Sequence, residues 1–443
     1  MLDLVIRGAT IVTGEPARPL IRDGVIGVRG NRLDFVCAAA EAPANPACGR
    51  AIDLPERVIT PGFVNVHTHA ALTMVRGVAE DLGFAPSYTP GIPHGEDLAP
   101  DEARAFARLG ALEAMLFGST LVNDTYVHAE ATLPAMAELG LRVHASPRIH
   151  DADLSAIADG RWVYRRETGE RTLGAALALA ERWHGGADGR IGVQLASHAP
   201  DTCSDGFLRL VAETARSRGL RVAIHLAQSR AEVKQVRARS AKTPAELLDD
   251  VGLLDDRLIA AHCLFLTDAD IARIGRARVN VAHVPKGNAT GGAIAPTPRL
   301  RAAGANLALG TDNMHADMVE TMRCALAVAR IQVGAATPEW RPADALAMAT
   351  VNGARAMGFG DSLGRLAPGK LADFVAFDYR RPHLTPDTNP LGTLVHVAQG
   401  RDVELVVVDG TIVVEGGRPT TVDAEAIRRE AQRAARALWS RVR

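Results

Sequence analysis

The chain has 443 residues, 47% of them hydrophobic and 23% charged, with a formal net charge of −1. That profile is globular, with ample length for a large core, and a near-neutral balance argues against a basic surface that holds nucleic acid. No apolar run is long enough to span a bilayer, and five scattered cysteines, Cys37, Cys48, Cys203, Cys263 and Cys324, form no CxxC pair, so a reduced, cytoplasmic protein without nucleic-acid or membrane partners is expected.

The opening run Met1-Leu2-Asp3-Leu4-Val5-Ile6-Arg7-Gly8 lacks the basic and long apolar regions of a signal peptide. It reads instead as the first of several short strands: Leu4 to Ile6, then Ala9 to Val12, then Leu20-Ile21 and Val25 to Val28 around the Asp23-Gly24 turn. Residues 40–50, rich in Ala and Pro, read as a loop. From about residue 58 apolar runs alternate with helix-length segments. The expected strands are Phe63 to His67, Thr120 to Asn123, Arg142 to Ala145, Ile191 to Ala196, Arg221 to His225, Leu258 to His262, Val279 to His283 and Asn306 to Thr311. Helices are expected at 101–117, 131–139, 206–218, 245–251, 268–276 and 297–303. Several of the strands lack polar alternation, the mark of a parallel sheet buried on both faces, and eight such units usually close into a barrel. After about residue 364 the pattern returns to β, with a strand over 370–377 and a hairpin turning at Asp409-Gly410. The last stretch, with Ile427, Ala431, Ala434 and Leu438 in a narrow apolar stripe, reads as a docked surface helix. The expected fold is therefore α/β: an eight-stranded TIM-type barrel over 58–363, a small β-sandwich built from 1–57 and 364–421 together, and a C-terminal helix over 422–443.

The chemistry sits at the strand ends. His67 and His69, spaced i, i+2, project from one face of the first barrel strand and converge on one point. His225 ends strand five, His262 ends strand six, His198 follows strand four, and Asp312 follows strand eight. In a parallel barrel all of these face the same end. His67, His69, His225 and Asp312 would hold one divalent ion, zinc by expectation with iron or manganese as alternatives, and leave a position open for water. Such an ion lowers the pKa of water, Asp312 can take its proton, and His262 can steady the hydroxide or a developing oxyanion. The expected reaction is hydrolysis at an electrophilic carbon that carries nitrogen or another leaving group.

With these residues in place the chain resembles the amidohydrolase superfamily, in its branch of cytosine deaminase, methylthioadenosine/S-adenosylhomocysteine deaminase and the triazine hydrolases. The resemblance covers almost the whole chain. It runs through Pro61-Gly62-Phe63-Val64-Asn65-Val66-His67-Thr68-His69, Arg76-Gly77-Val78-Ala79-Glu80-Asp81-Leu82, Ser197-His198-Ala199-Pro200, His225-Leu226-Ala227-Gln228, Ala261-His262-Cys263 and Leu309-Gly310-Thr311-Asp312, and into the stretch Leu363 to Phe374. It implies one zinc or iron, deamination or dechlorination of an N-heterocycle, and a homodimer or larger homo-oligomer.

Two departures qualify it. The resemblance implies a proton-shuttling Glu three residues after the strand-five His, and here that position is Gln228. An amide can orient a substrate but has no carboxyl proton to give. Glu232, four residues on, is a possible substitute, or Asp312 carries the proton both ways. Adenosine-type deaminases of the branch also carry a Glu just after the Arg-Gly motif, to hold ribose hydroxyls. Here Leu82-Gly83-Phe84-Ala85-Pro86-Ser87-Tyr88 contains no carboxylate, which disfavours a nucleoside. The following segment, Thr89 to Glu96, reads equally as a lid or as a rigid connection. The expected activity is deamination of a small amino-substituted heterocycle such as a pterin, purine base, pyrimidine or triazine. The alternative is opening of a cyclic amide or release of a group other than ammonia. His198, Gln228 and Arg148 are the expected substrate contacts, with Arg148 equally able to make a structural ion pair. His283, Lys286, His315 and Asp317 are possible pocket residues, Asp124 and His128 are expected to hold their loop, and Cys263 to be a buried apolar residue.

Overall fold

The computed structural model describes residues 1–44, 46–82, 89, 91–157, 159–313 and 315–442. Eight parallel barrel strands run in chain order: Phe63–Thr68, Ser119–Asp124, Arg142–Ala145 continued by Arg148–Ile149, Ile191–Val193 continued by Leu195–Ser197, Val222–Leu226, Leu258–His262, Asn280–His283 and Asn306–Leu309. Nearly every strand residue is buried. Side chains such as Val64, Val66, Ala196, Ala223, Ile259 and Ala308 fill the interior, while Val122, Val143, Ile224 and Val281 face the helices. Burial on both faces is why these segments read as apolar runs rather than as alternating ones.

Strands three and four are each split, which the sequence reading drew as single runs. The break in strand three falls at Ser146-Pro147, where proline removes a ladder donor. The break in strand four falls at Gln194, whose Nε2 turns inward to donate to Asn123 Oδ1 at 3.0 Å and Ser146 Oγ at 2.8 Å. The barrel closes between its first and last strands. Asp312 N donates to the His67 carbonyl (3.0 Å), and His69 N donates back to the Asp312 carbonyl (3.1 Å). Asn65 Nδ2 donates to Thr311 Oγ1 one step below, at 2.7 Å.

The terminal segments share one nine-stranded sheet. Its halves meet where Arg57–Pro61 pairs antiparallel with Phe374–Asp378, over a core that includes Leu4, Ile6, Ile26, Phe374 and Val407. Cys48–Asp53, expected within and after a loop, is a strand paired parallel to Leu2–Val12; its own sequence carries no clear alternation, and the neighbour's free backbone edge supplies the order. Arg142, at the start of barrel strand three, reaches into this sheet and binds Asp373 through two nitrogens (2.9 and 3.0 Å). Helices at Arg166–Trp183, Met318–Val333 and Pro342–Ala349, absent from the sequence reading, complete the outer layer. The last helix, Ala424–Val442, packs on Pro100–Leu116 and on the turn after the first barrel strand, where Trp439 Nε1 donates to the Met74 carbonyl at 3.0 Å. No helix among the described residues is long and apolar enough to cross a membrane.

A candidate metal centre at the strand ends

His67, His69, His225, His262 and Asp312 meet at the C-terminal mouth of the barrel. The ligand atoms of His67, His69 and Asp312 lie within 4.8 Å of one another, and so do those of His67, His225 and His262. His67 and His69 put their rings edge to face with centroids 4.7 Å apart, and His225 and His262 stack at 5.4 Å. All five residues are buried.

The surrounding hydrogen bonds fix which nitrogen faces the centre. His225 Nδ1 donates to the His198 carbonyl at 2.6 Å, and His69 Nδ1 makes a short bond to the Thr125 carbonyl. A carbonyl can only accept, so each Nδ1 carries the proton and each Nε2 turns a lone pair inward. Those two Nε2 atoms are 3.3 Å apart, which is repulsive unless a cation sits between them. His67 Nε2 is buried and makes no hydrogen bond among the described residues. Asp312 Oδ1 faces the group, 3.5 Å from His67 Nε2 and 3.2 Å from His69 Nε2. Burial pushes His67 down to about 4, against the pull of Asp312, and drives His225 and His198 well below the usual imidazole range. Burial also opposes ionisation of Asp312, but the facing imidazoles of His67, His69 and His262 outweigh it and hold the carboxyl well below its ordinary value. Neutral imidazoles around a carboxylate, with lone pairs converging, suit one divalent cation.

The backbone is bent to present these groups. Ala227, His262, Cys263 and Asp312 all take left-handed conformations, with φ between 49° and 70°, a geometry that costs non-glycine residues and clusters at functional sites. Gly310 is required by close approach, because a Cβ there would lie 2.7 Å from His67 Cβ. His262 is oriented through Nδ1, which donates to Asn288 Oδ1 at 2.9 Å. His198 Nδ1 pairs with Thr202 Oγ1 at 3.0 Å. Sequence reasoning missed Thr125, Thr202 and Asn288, since the residues that orient metal-site imidazoles lie on separate loops and share no spacing.

Gln228 follows strand five, and its Nε2 is buried without a hydrogen-bond partner among the described residues. Glu232 is committed elsewhere. Its two oxygens accept the backbone N–H groups of Ala227 and Gln228, each at 2.7 Å, and its side chain is fully buried. The residue brackets the loop that carries Gln228. Its signal was present as Ser229-x-x-Glu232, a helix-start pattern, and Ser229 Oγ does accept the Glu232 N–H at 3.0 Å.

Arg148 pairs with Glu96 at 2.9 Å and lies over the Tyr126 ring, 5.3 Å from its centroid. Tyr126 in turn sits 5.8 Å from the His69 ring. Arg148 therefore lines the side of a cavity of about 730 Å³ with Tyr126 and His150. Glu96 closes the segment that reads as lid or connection. Ile92 within it is buried beside Leu72 and Phe106, and His94 N donates to Asp97 Oδ2 at 2.7 Å. Gly83 to Tyr88 and Pro90, where the missing carboxylate was noted, lie outside the described residues. Asp124 holds its loop by accepting the Ala70 N–H at 2.7 Å, and the His128 carbonyl caps the helix Ala129–Ala137. Asp317 caps the helix Met318–Val333, and Lys286 binds Glu320 at 2.7 Å. His283 is buried and His315 half-buried, and the shielded ring nitrogens of both are without hydrogen-bond partners among the described residues. Cys263 is buried, and burial raises its thiol pKa, as befits an apolar filler.

Residues 58–413 match the model of the amidohydrolase family. The chain is 38% identical over 433 residues to a 5-methylthioadenosine/S-adenosylhomocysteine deaminase of Moorella thermoacetica, covering 96% of this chain and 97% of that one. It is 34% identical over 451 residues to a 5′-deoxyadenosine deaminase of Methanosarcina mazei, covering 100% of both. Among solved structures, an adenosine deaminase from Xanthomonas campestris with bound zinc superposes with a TM-score of 0.89 at 27% identity, over 99% of each chain.

Proposed function

From the premise that the chain belongs to the amidohydrolase family, we propose that it is a one-metal aminohydrolase. In this reading it replaces an exocyclic amino group on an N-heterocycle with oxygen, consuming water and releasing ammonia. His67, His69, His225 and Asp312 would hold the ion, with zinc the metal we assign. When bound there, a divalent ion lowers the pKa of water towards neutrality and so supplies hydroxide. The remaining steps belong to the chain's own groups. Asp312 accepts the proton of the nucleophile and returns it to the departing nitrogen. His262, with Nδ1 donating to Asn288, offers its Nε2 lone pair to orient the nucleophile's remaining O–H. Gln228, with an unpartnered buried Nε2, donates to a ring nitrogen and holds the ring in register. The observation that carries this reading is the pair of inward lone pairs on His69 and His225, 3.3 Å apart.

The ring we assign is an aminopurine. Its support is that the relatives above are named for deamination of adenosine derivatives. Their names also favour a nucleoside, against the sequence-based expectation of a free base, which rests on the carboxylate-free run Gly83 to Tyr88. A second reading, release of a group other than ammonia or opening of a cyclic amide, is favoured by Gln228 itself, since an amide cannot protonate a leaving amine. Arg148, beside the cavity near Tyr126, is the residue we assign to an anionic or hydroxyl-bearing part of the substrate. We also read the chain as a homo-oligomer built from the three segments bounded above, which light scattering would test. The decisive experiment is mass spectrometry of products from zinc-loaded enzyme, given adenosine derivatives, free aminopurines, pterins, pyrimidines, triazines and cyclic amides. An amino group exchanged for oxygen supports the proposal and names the ring. A product heavier by one whole water moves the assignment to ring opening.

A further inference from the structure

The opposite end of the barrel, where the strands begin, holds a second cavity of about 740 Å³. Five arginines line it: Arg221 at the foot of strand five, then Arg257, Arg278, Arg301 and Arg355. Among the lining residues two carboxylates, Asp256 and Asp344, face them, and the charge of Asp255 also reaches Arg221, so positive charge remains in excess. The arginines are not equally occupied. Arg301 binds Asp344 at 2.8 Å and lies 5.0 Å over the Trp340 ring. Arg257 donates to the Leu220 carbonyl at 2.8 Å, and Arg278 comes no nearer than 3.9 Å to Asp256. Among the described residues, Arg221 and Arg355 make no hydrogen bond or ion pair, and Nη1 of Arg221 is shut off from solvent. Burial and the neighbouring Arg257 charge both push Arg221 below its ordinary pKa.

The floor of the cavity is braced by its own amides. Asn280 Nδ2 donates to the Asp256 and Leu258 carbonyls, and Asn306 Nδ2 donates to Asn280 Oδ1 and to the Asn352 carbonyl, all within 3.0 Å. These amide donors are taken up within the floor, and no hydrogen bond runs from Arg221 to an acceptor there among the described residues. A partly buried guanidinium among like charges, without a partner, costs stability, so a purely structural role does not account for it. An oxyanion would supply the missing acceptors in the planar, two-pronged geometry that guanidinium groups match. The enclosed volume suits a small molecule rather than a polymer.

We propose that this cavity is a binding site for a small phosphate-bearing anion, gripped by Arg221 from inside and Arg355 from the rim, separate from the metal centre at the other end of the barrel. The test is isothermal titration of the zinc-loaded protein with inorganic phosphate and with ribose 5-phosphate as a phosphomonoester, at low and at high salt. Saturable binding is expected for one or both, weakening as salt rises. Arg221→Gln and Arg355→Gln should each lower affinity tenfold or more while turnover on the heterocyclic substrate stays unchanged. Tighter binding of the ester than of phosphate would identify the ligand as a metabolite; equal binding would identify it as free phosphate. Absence of saturable binding at millimolar concentrations overturns the proposal. So does binding that survives both substitutions, or binding abolished by Asp312→Asn, which would put the anion at the metal centre. Arg355 is exposed, so its variant keeps the test open even if the Arg221 variant fails to fold.

Discussion

Glu232→Ala is the perturbation that separates a bracket from a proton carrier. In the native fold its two carboxylate oxygens each accept one buried backbone N–H, from Ala227 and Gln228, at 2.7 Å. Truncation leaves both donors without acceptors, at about 1–3 kcal/mol each. Part of that is recovered, because burial and the nearby charge of Asp201 already push the Glu232 carboxyl well above its ordinary pKa. The net expectation is a loss of about 2–4 kcal/mol, since relief from burying an acid offsets about a third of the cost. Ala227 would no longer be held in its left-handed conformation (φ 49°), so the loop would relax and Gln228 would shift. A displacement of about 1 Å at a positioning group can cost up to a hundredfold in rate. Urea unfolding of the zinc-loaded protein measures the first effect, and steady-state kinetics the second. Glu232→Gln keeps one acceptor and should fall between wild type and Glu232→Ala in both assays. If both variants kept wild-type stability and lost turnover equally, Glu232 would be carrying protons and the bracket reasoning would be wrong.

Asp312→Asn should lower kcat at least about a hundredfold through loss of the base, with the fold retained, because asparagine tolerates the left-handed backbone that Asp312 adopts (φ 63°); near-normal turnover would remove Asp312 from the mechanism. Gln228→Glu should raise rates on aminoheterocycles about tenfold or more if a proton path is what limits them; no rise on any ring would mean that the pocket limits instead. Gly310→Ala drives a Cβ to 2.7 Å from His67, so a loss of about 1–3 kcal/mol from overpacking should accompany weaker zinc retention in a competitive chelator titration. His144, pushed down to about 3 by burial, stays neutral in the fold while the unfolded chain takes up a proton below its ordinary 6.5. Stability therefore falls as pH drops from 6.5 towards 3, by about 2 kcal/mol between pH 7 and pH 5, and His144→Gln should flatten that slope in urea titrations at the two pH values.

The barrel strands were legible because each is a short apolar run bounded by turn residues, and burial on both faces leaves no competing pattern. The five groups of the candidate metal centre were legible as a set because parallel strands put all their C-terminal residues at one end. The breaks in strands three and four were missed. The one in strand four depends on Gln194 finding Asn123 and Ser146, partners 71 and 48 residues away, and the one in strand three had its signal in Pro147. The helix Arg166–Trp183 escaped because its buried stripe, Thr172, Leu173, Ala176 and Leu179, is mostly small residues among charges. Met318–Val333 escaped for the opposite reason, since apolar residues occur nearly all round it and hide the period. The bracket that Glu232 forms was not legible because four residues of helical spacing suggest nearness to Gln228 without saying which atoms meet: the carboxylate accepts the backbone N–H of Gln228.

The seam between the first and last barrel strands also has a kinetic meaning. Thr68 Oγ1 and the Asp312 carbonyl that it binds are 244 residues apart in the chain. During synthesis the paired histidines therefore emerge long before the carboxylate that would complete the proposed ligand set. With that ligand set, a nascent chain would hold only a weak two-nitrogen chelate, and tight capture would wait until the eighth strand docks. Metal uptake is in that sense a receipt for finished folding: chains stalled before the last strand should exchange metal freely with the surrounding pool, and only closed barrels should keep it.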